Sequence, residues 1–198
     1  MGIPRALLTT SCIHALELEA LMLNIQPGDE EIVPSFTFVS TVNAFVLWGA
    51  KPVFADILPD TLNLKEEVLG DLTTERTKAI LPVHYTGVGC EMDPILQKTA
   101  HSLNLVIIEE NAHGPFGKNR ARGLGTFGVM APQSFHEPKN ISCGEGGELL
   151  AFIPYFSGWF AVFVMVVAPF MLLAVIGLVL ASRKYQIELQ STPAVALG

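Results

Sequence analysis

The sequence predicts an α/β chain over residues 1–150, a mostly parallel sheet flanked by helices, followed by one apolar helix that crosses a membrane. Three observations carry this. Short apolar runs alternate with helix-forming segments as far as residue 150, the pattern of a parallel sheet covered on both faces. Turn signals punctuate them, as at Gln26-Pro27-Gly28-Asp29 and Gly49. No residue from Leu149 to Ser182 is charged.

Ala15 to Leu23 is rich in strong helix formers and predicts the first helix. Glu31-Ile32-Val33 is a short strand ending at Pro34, and Val39 to Trp48 is a second helix stopped near Gly49. Pro52 to Ala55 is a further apolar run, and Leu64 to Leu69 reads as a short helix. Ala79 to Val83 and Leu105 to Ile108 are β-type runs, with a helix from Pro94 to Leu103 between them. Ligands of such sheets sit beyond the carboxyl ends of the strands. That points to the loops after Val83, after Ile108 and around Ser134. No internal repeat is present.

Phe156 to Ala181 is long enough to cross ~30 Å of hydrocarbon, which takes about 20 helical residues. Tyr155 and Trp159 stand at its start, as interfacial aromatics do, and Pro169 is tolerable in a membrane helix. A buried core helix is the other reading of this stretch. The division is therefore residues 1–150, a membrane helix within 151–182, and a polar tail over 183–198.

Half of the residues are hydrophobic and the mean hydropathy is +0.44, an excess concentrated in that stretch. The net charge is −7, and since the tail carries +1, residues 1–150 carry −8. An acidic balance argues against nucleic-acid binding, which rests on Lys and Arg. Cys12, Cys90 and Cys143 are odd in number, far apart and without C-x-x-C spacing. This argues against a disulfide framework or zinc site and suits a reducing cytosol. The first ten residues lack the pattern of a signal peptide.

Four segments carry chemistry, each with an ordinary reading beside the functional one. Lys139 follows Ser134-Phe135-His136-Glu137-Pro138 and precedes Gly144-Glu145-Gly146-Gly147. It suits either a Schiff-base lysine in a cleft, where burial frees the amine, or a solvated surface charge. Glu109 and Glu110 end the run Val106-Ile107-Ile108. A carboxylate there can pair with a pyridinium nitrogen, or cap a turn. Thr9-Thr10-Ser11-Cys12-Ile13-His14 opens the first helix. It supplies ordinary N-caps, and the same helix start offers free N–H groups that can bind a phosphate. In Pro34-Ser35-Phe36-Thr37-Phe38 an aromatic at a strand–helix junction either stacks on a planar cofactor or joins the core.

Taken together and in order, these runs resemble the DegT/DnrJ/EryC1/StrS family of pyridoxal-phosphate (PLP) sugar aminotransferases. The runs are Ser11 to Glu17, Pro34 to Val46, Pro82 to Tyr85 with Cys90 to Asp93, and Ser134 to Asn140 with Gly144 to Gly147. The resemblance covers nearly all of residues 5–150. It implies part of the large domain of a fold-type I PLP enzyme, with PLP as cofactor. The substrate it implies is a nucleotide-linked 4-keto-6-deoxysugar with glutamate as amino donor, and the setting is cell-surface polysaccharide synthesis of the common-antigen kind. It implies a homodimer whose partner subunit completes the site.

By this resemblance Lys139 holds PLP and shuttles a proton between substrate and cofactor carbons, and Phe38 stacks on the ring. Ser134 binds the phosphate together with the helix start at Cys12 and Ile13. Glu110 faces the pyridine nitrogen, and His113 stands against the cofactor. The family's dehydratase branch has histidine at the lysine position, so Lys139 favours transamination. Two positions depart from the family pattern. Glu110 stands where Asp is usual and adds a methylene. Ile13 stands where Thr is usual and has no hydroxyl to offer phosphate. Pro138 restricts Glu137 towards extended backbone and removes a donor.

The resemblance stops near Ala151. The family's later strands and small domain have no counterpart in this sequence, which leaves sheet edges and apolar faces open. Arg183 and Lys184 follow the apolar stretch, so the positive-inside rule sets the C-terminus in the cytoplasm. Residues 1–150, without an export signal, also read as cytoplasmic, with the inner membrane as anchor. These readings conflict. They favour a rearranged or misjoined gene product, and they leave an inactive, membrane-tethered aminotransferase remnant as the alternative function. A small membrane protein acting through its tail is a third.

Overall fold

A computed structural model describes residues 5–95 and 105–151. The apolar stretch read as a membrane helix, the polar tail and most of the expected 94–103 helix lie outside the described residues. Among the described residues no helix is long and apolar enough to cross a membrane.

The strands are β1 (Arg5–Thr9), β2 (Glu30–Pro34), β3 (Lys51–Ala55), β4 (Thr77–Ile80), β5 (Val106–Ile107), β6 (Lys118–Asn119), β7 (Arg122–Gly123), β8 (Met130–Ser134) and β9 (Gly147–Ala151). The helices are α1 (Cys12–Met22), α2 (Val39–Val46), α3 (Leu69–Leu72) and α4 (Met92–Ile95). β3, β2, β4 and β5 pair in that order, all parallel. β8, β9 and β1 form a second ladder in which β9 runs antiparallel to both neighbours. Ile108 bridges Met130 in parallel, and the Asn111 N–H donates to the Pro132 carbonyl (3.2 Å). The two ladders therefore join into one sheet, β3-β2-β4-β5-β8-β9-β1, with only β9 reversed. β6 and β7 are a separate small hairpin.

α1 begins where Ser11 caps it, its hydroxyl accepting from the His14 N–H (3.3 Å). One face of the parallel ladder is closed by Ile32, Ile80 and Ile107 packing with Leu64, Leu69, Met92 and Ile95. Ala15, Leu16 and Ala20 of α1 and Ala44 and Phe45 of α2 are also buried, and α1 packs on α2, β8 and β9. Each fully buried Leu, Ile, Met or Phe side chain among them contributes roughly 1.5–3 kcal/mol relative to exposure.

Several expectations shift. The helix expected at Leu64–Leu69 is instead a 3-10 turn at Glu66–Val68 running into α3. Leu64 is a fully buried core residue just ahead of it. α2 ends at Val46, two residues before Trp48, and Gly49 follows at φ +90°. The run Ala79–Val83 pairs as a strand only to Ile80, after which Leu81 still donates to the Ile32 carbonyl (2.8 Å) and Val83 bridges Glu110. Ala151, assigned to the apolar stretch, is the last residue of β9 and pairs with Arg5 and Met130.

The interior also holds acids that an apolar-run reading does not anticipate. Glu31 of β2 and Glu19 of α1 are fully buried, and neither carboxyl has a hydrogen-bond partner among the described residues. Burial pushes Glu31 up to about 8, and burial with nearby Glu110 pushes Glu19 well above the carboxylate range.

Candidate active site

All the cleft-forming loops leave the same edge of the sheet, beyond the carboxyl ends of its parallel strands. They enclose a cleft of about 570 Å³, a size ordinary for a small-molecule site.

β1 delivers the chain to α1. Cys12 and Ile13 occupy the first turn, whose N–H groups have no acceptor within the helix. Gly147, at the start of β9, runs against this turn. A Cβ there would lie 2.5 Å from the Cys12 nitrogen and 2.8 Å from the Ser11 carbonyl oxygen. Only glycine permits that approach. Burial raises the Cys12 thiol, with Glu110 and Glu19 adding to the effect and Lys139 opposing it.

The tandem acids at the end of β5 diverge because successive side chains of an extended chain point to opposite faces. Glu110 faces the cleft and Glu109 the interior. The extra methylene of Glu110 is taken up by folding back. Its Oε1 accepts from the Ala112 N–H (2.9 Å) and its Oε2 from the Thr41 hydroxyl (3.4 Å). Thr37 in turn donates to Thr41 (3.2 Å). Burial raises the Glu110 carboxyl, while the Ala112 N–H, Lys139, His84 and Thr41 pull it down.

Lys139 enters from the loop after β8, its amine 2.5 Å from Nε2 of His113. Burial and the lysine charge lower the His113 ring, which keeps Nε2 available as an acceptor. Asn140 ties the two loops together, its amide donating to the carbonyls of His113 (2.9 Å) and Pro115 (3.3 Å). Pro138 fits its turn, in which the Lys139 N–H reaches the His136 carbonyl (3.0 Å). Tyr85 meets Phe36 edge-on at 4.8 Å and His113 at 5.8 Å between centroids. Phe38, just before α2, lines the cleft and is 68% exposed, and Ser134 lines it from the end of β8.

The structure thus brings Cys12, Ile13, Phe38, Glu110, His113, Ser134 and Lys139 to one cleft. Sequence reasoning missed Thr37, Thr41, Tyr85, the clamp made by Asn140 and the close approach at Gly147. The i, i+4 spacing of Thr37 and Thr41 across a helix start was the only local signal for that pair. The described residues contain no cluster of His, Cys, Asp and Glu able to hold a metal.

The model of the DegT/DnrJ/EryC1/StrS aminotransferase family matches residues 1–151. The spore coat polysaccharide biosynthesis protein SpsC of Bacillus subtilis is 41% identical over 149 residues, 75% of this chain and 38% of its own length. The GDP-perosamine synthase of Caulobacter vibrioides is 42% identical over 148 residues, 75% of this chain and 40% of its own length. A Streptococcus pneumoniae protein described as a sugar aminotransferase, solved in its PLP form, superposes with a TM-score of 0.73 at 28% identity. That match covers 81% of this chain and 45% of the other. The chain spans about two fifths of the length of the curated relatives it matches. PLP is the cofactor of this group of enzymes. With the sheet order, the cleft and 151 matched residues in agreement, the chain belongs to the DegT/DnrJ/EryC1/StrS aminotransferase family.

Proposed function

We propose that this chain forms the cofactor-holding part of a PLP-dependent aminotransferase. Its reaction would move the amino group of glutamate to a nucleotide-linked 4-keto-6-deoxysugar for cell-surface polysaccharide, of the kind that includes enterobacterial common antigen. The single observation that carries this reading is a lysine amine and a buried carboxyl, Lys139 and Glu110, lining one cleft at the carboxyl edge of a parallel sheet. The sugar assignment rests on the two curated relatives, one in polysaccharide biosynthesis and one a GDP-perosamine synthase.

The residues fit PLP. The first turn of α1, with Cys12 and Ile13, offers N–H groups and a positive helix end to its phosphate, and Ser134 adds a hydroxyl. Phe38 offers an uncovered ring face beside the cleft. Glu110, held by Ala112 and Thr41, is placed to meet a protonated ring nitrogen. When bound, PLP supplies an electron sink for the carbanion formed at the reacting carbon. Lys139 would hold the cofactor and, once free, carry a proton between carbon atoms. His113 keeps the amine in place through Nε2, and Asn140 sets the distance between their two loops. The exposed side chains of Val39 and Leu47, at the two ends of α2, suit a second subunit packed on this helix, as in a homodimer.

The test is an absorbance spectrum of the purified chain with PLP beside a Lys139→Ala control. A band near the visible edge in the wild type and absent in the control supports the reading. Identical spectra sink it and favour a remnant that does no chemistry.

A further inference from the structure

Glu109 is fully buried and sits back to back with Glu110, yet it does not line the cleft. Its carboxylate is nevertheless the most heavily bonded side chain near the site. Oε1 accepts from the N–H groups of Phe127 and Gly128, the latter at 2.5 Å. Oε2 accepts from the Gly125 N–H (2.7 Å) and pairs with Nε2 of His84 (3.0 Å). Three backbone donors from the one segment 125–128 wrap on this carboxylate and make an anion-binding concavity. Gly125 supplies the left-handed residue (φ +81°), and a Cβ on Gly128 would lie 2.5 Å from the Ile107 carbonyl oxygen.

His84 is equally buried and links this concavity to the cleft. Its Nδ1 accepts from the Cys90 N–H (3.2 Å), so its ring proton sits on Nε2, aimed at Glu109. Its own backbone N–H donates to the Glu110 carbonyl (3.1 Å). The next residue is Tyr85, whose ring meets His113, and His113 holds Lys139. Gly87 approaches His113 so closely that a Cβ would lie 3.1 Å from its carbonyl oxygen.

We infer that His84 and Glu109 are positioning residues of the cofactor site: their buried hydrogen bond locks the loops after β4 and β5 and the segment 125–128 into one register, which sets Tyr85, Glu110 and His113 against Lys139. This rests on the proposed cofactor reading. Neither residue touches the cleft, so each acts through the groups it fixes. A network closed on all its donors and acceptors is rigid, and opening one bond frees the remainder.

The experiment titrates the full chain with PLP, wild type against His84→Ala and His84→Gln. Cofactor absorbance, its pH midpoint and far-UV circular dichroism are all read. Gln retains a donor that reaches Glu109, whereas Ala retains none. The expected result is that His84→Ala keeps a native dichroism spectrum, binds PLP about tenfold more weakly, on the order of one misplaced hydrogen bond between the shifted cleft residues and the cofactor, and shifts the pH midpoint. His84→Gln falls between it and the wild type. A folded His84→Ala protein with wild-type affinity and midpoint overturns the inference, because a role in packing alone moves neither. If the alanine variant loses its native dichroism, His84→Gln decides by the same two readouts, and wild-type values in it overturn the inference. A wild-type chain with no cofactor band overturns the cofactor reading itself, and this one with it.

Discussion

The amine of Lys139 lies 2.5 Å from Nε2 of His113, although the two are 26 residues apart in the sequence. Burial and the lysine charge both hold the His113 ring below its ordinary titration range. A histidine whose folded pKa is depressed adds stability that is present above its unfolded value, about 6.5, and is lost as pH falls through the folded value. Protonation would set two cations against each other. PLP affinity of the wild type is therefore expected to fall on acidification below about pH 6.5, and His113→Gln, which cannot titrate, to flatten that dependence. PLP titrations at several pH values check this, and an unchanged slope in the variant removes His113 from the account.

Ile13 lines the cleft in the first turn of α1 and carries no hydroxyl. If that turn holds the PLP phosphate, Ile13→Thr adds one charge-assisted hydrogen bond. Affinity is expected to rise about tenfold. Unchanged or weaker binding in an equilibrium titration would mean the phosphate lies elsewhere.

Gly147 leaves no room for a Cβ beside the Cys12 nitrogen. Gly147→Ala is expected to push the start of α1 away from β9, costing about 1–3 kcal/mol as an overpacked contact does, and to weaken PLP binding as well. Urea denaturation and PLP titration read the two effects. A folded variant with wild-type values in both would show that this edge can yield without consequence.

Glu31 is buried without a hydrogen-bond partner among the described residues and is pushed up to about 8. A carboxyl with a raised folded pKa contributes most stability below its unfolded value, near 4.3. That stability is lost as pH rises through the folded value, so unfolding free energy should fall between roughly pH 4.3 and 8. Glu31→Gln removes the titration and is expected to stabilise the chain at pH 8.5 by about 1–3 kcal/mol. Denaturant melts at pH 5.5 and 8.5 compare the two proteins. Equal losses on alkalinisation would assign the effect to another group, Glu19 being the next candidate.

Much of the fold was legible because α/β patterning is local. The apolar runs at 31–33, 52–55 and 105–108 and the helix at 15–23 were each visible within a few residues. β1, β8 and β9 were harder to read. β8 is Met-Ala-Pro-Gln-Ser, a buried strand with proline at its centre, and its composition carries little β signal. The site residues were legible through family resemblance rather than periodicity. Thr41 and His84 escaped because their partners, Glu110 and Glu109, lie 69 and 25 residues away.

The sequence by itself determined the α/β class, the order of the motifs and the chemical types gathered at the strand ends. Side-chain alternation and turn chemistry are written residue by residue, so they need no partner to be read. Only the tertiary structure decided which of two adjacent glutamates faces the cleft, how Glu110 absorbs its extra methylene and why Gly147 must lack a side chain. It also decided that Lys139 meets His113. Those outcomes depend on distances between segments far apart in the chain, and such distances exist only once the sheet has brought its carboxyl ends to a common edge.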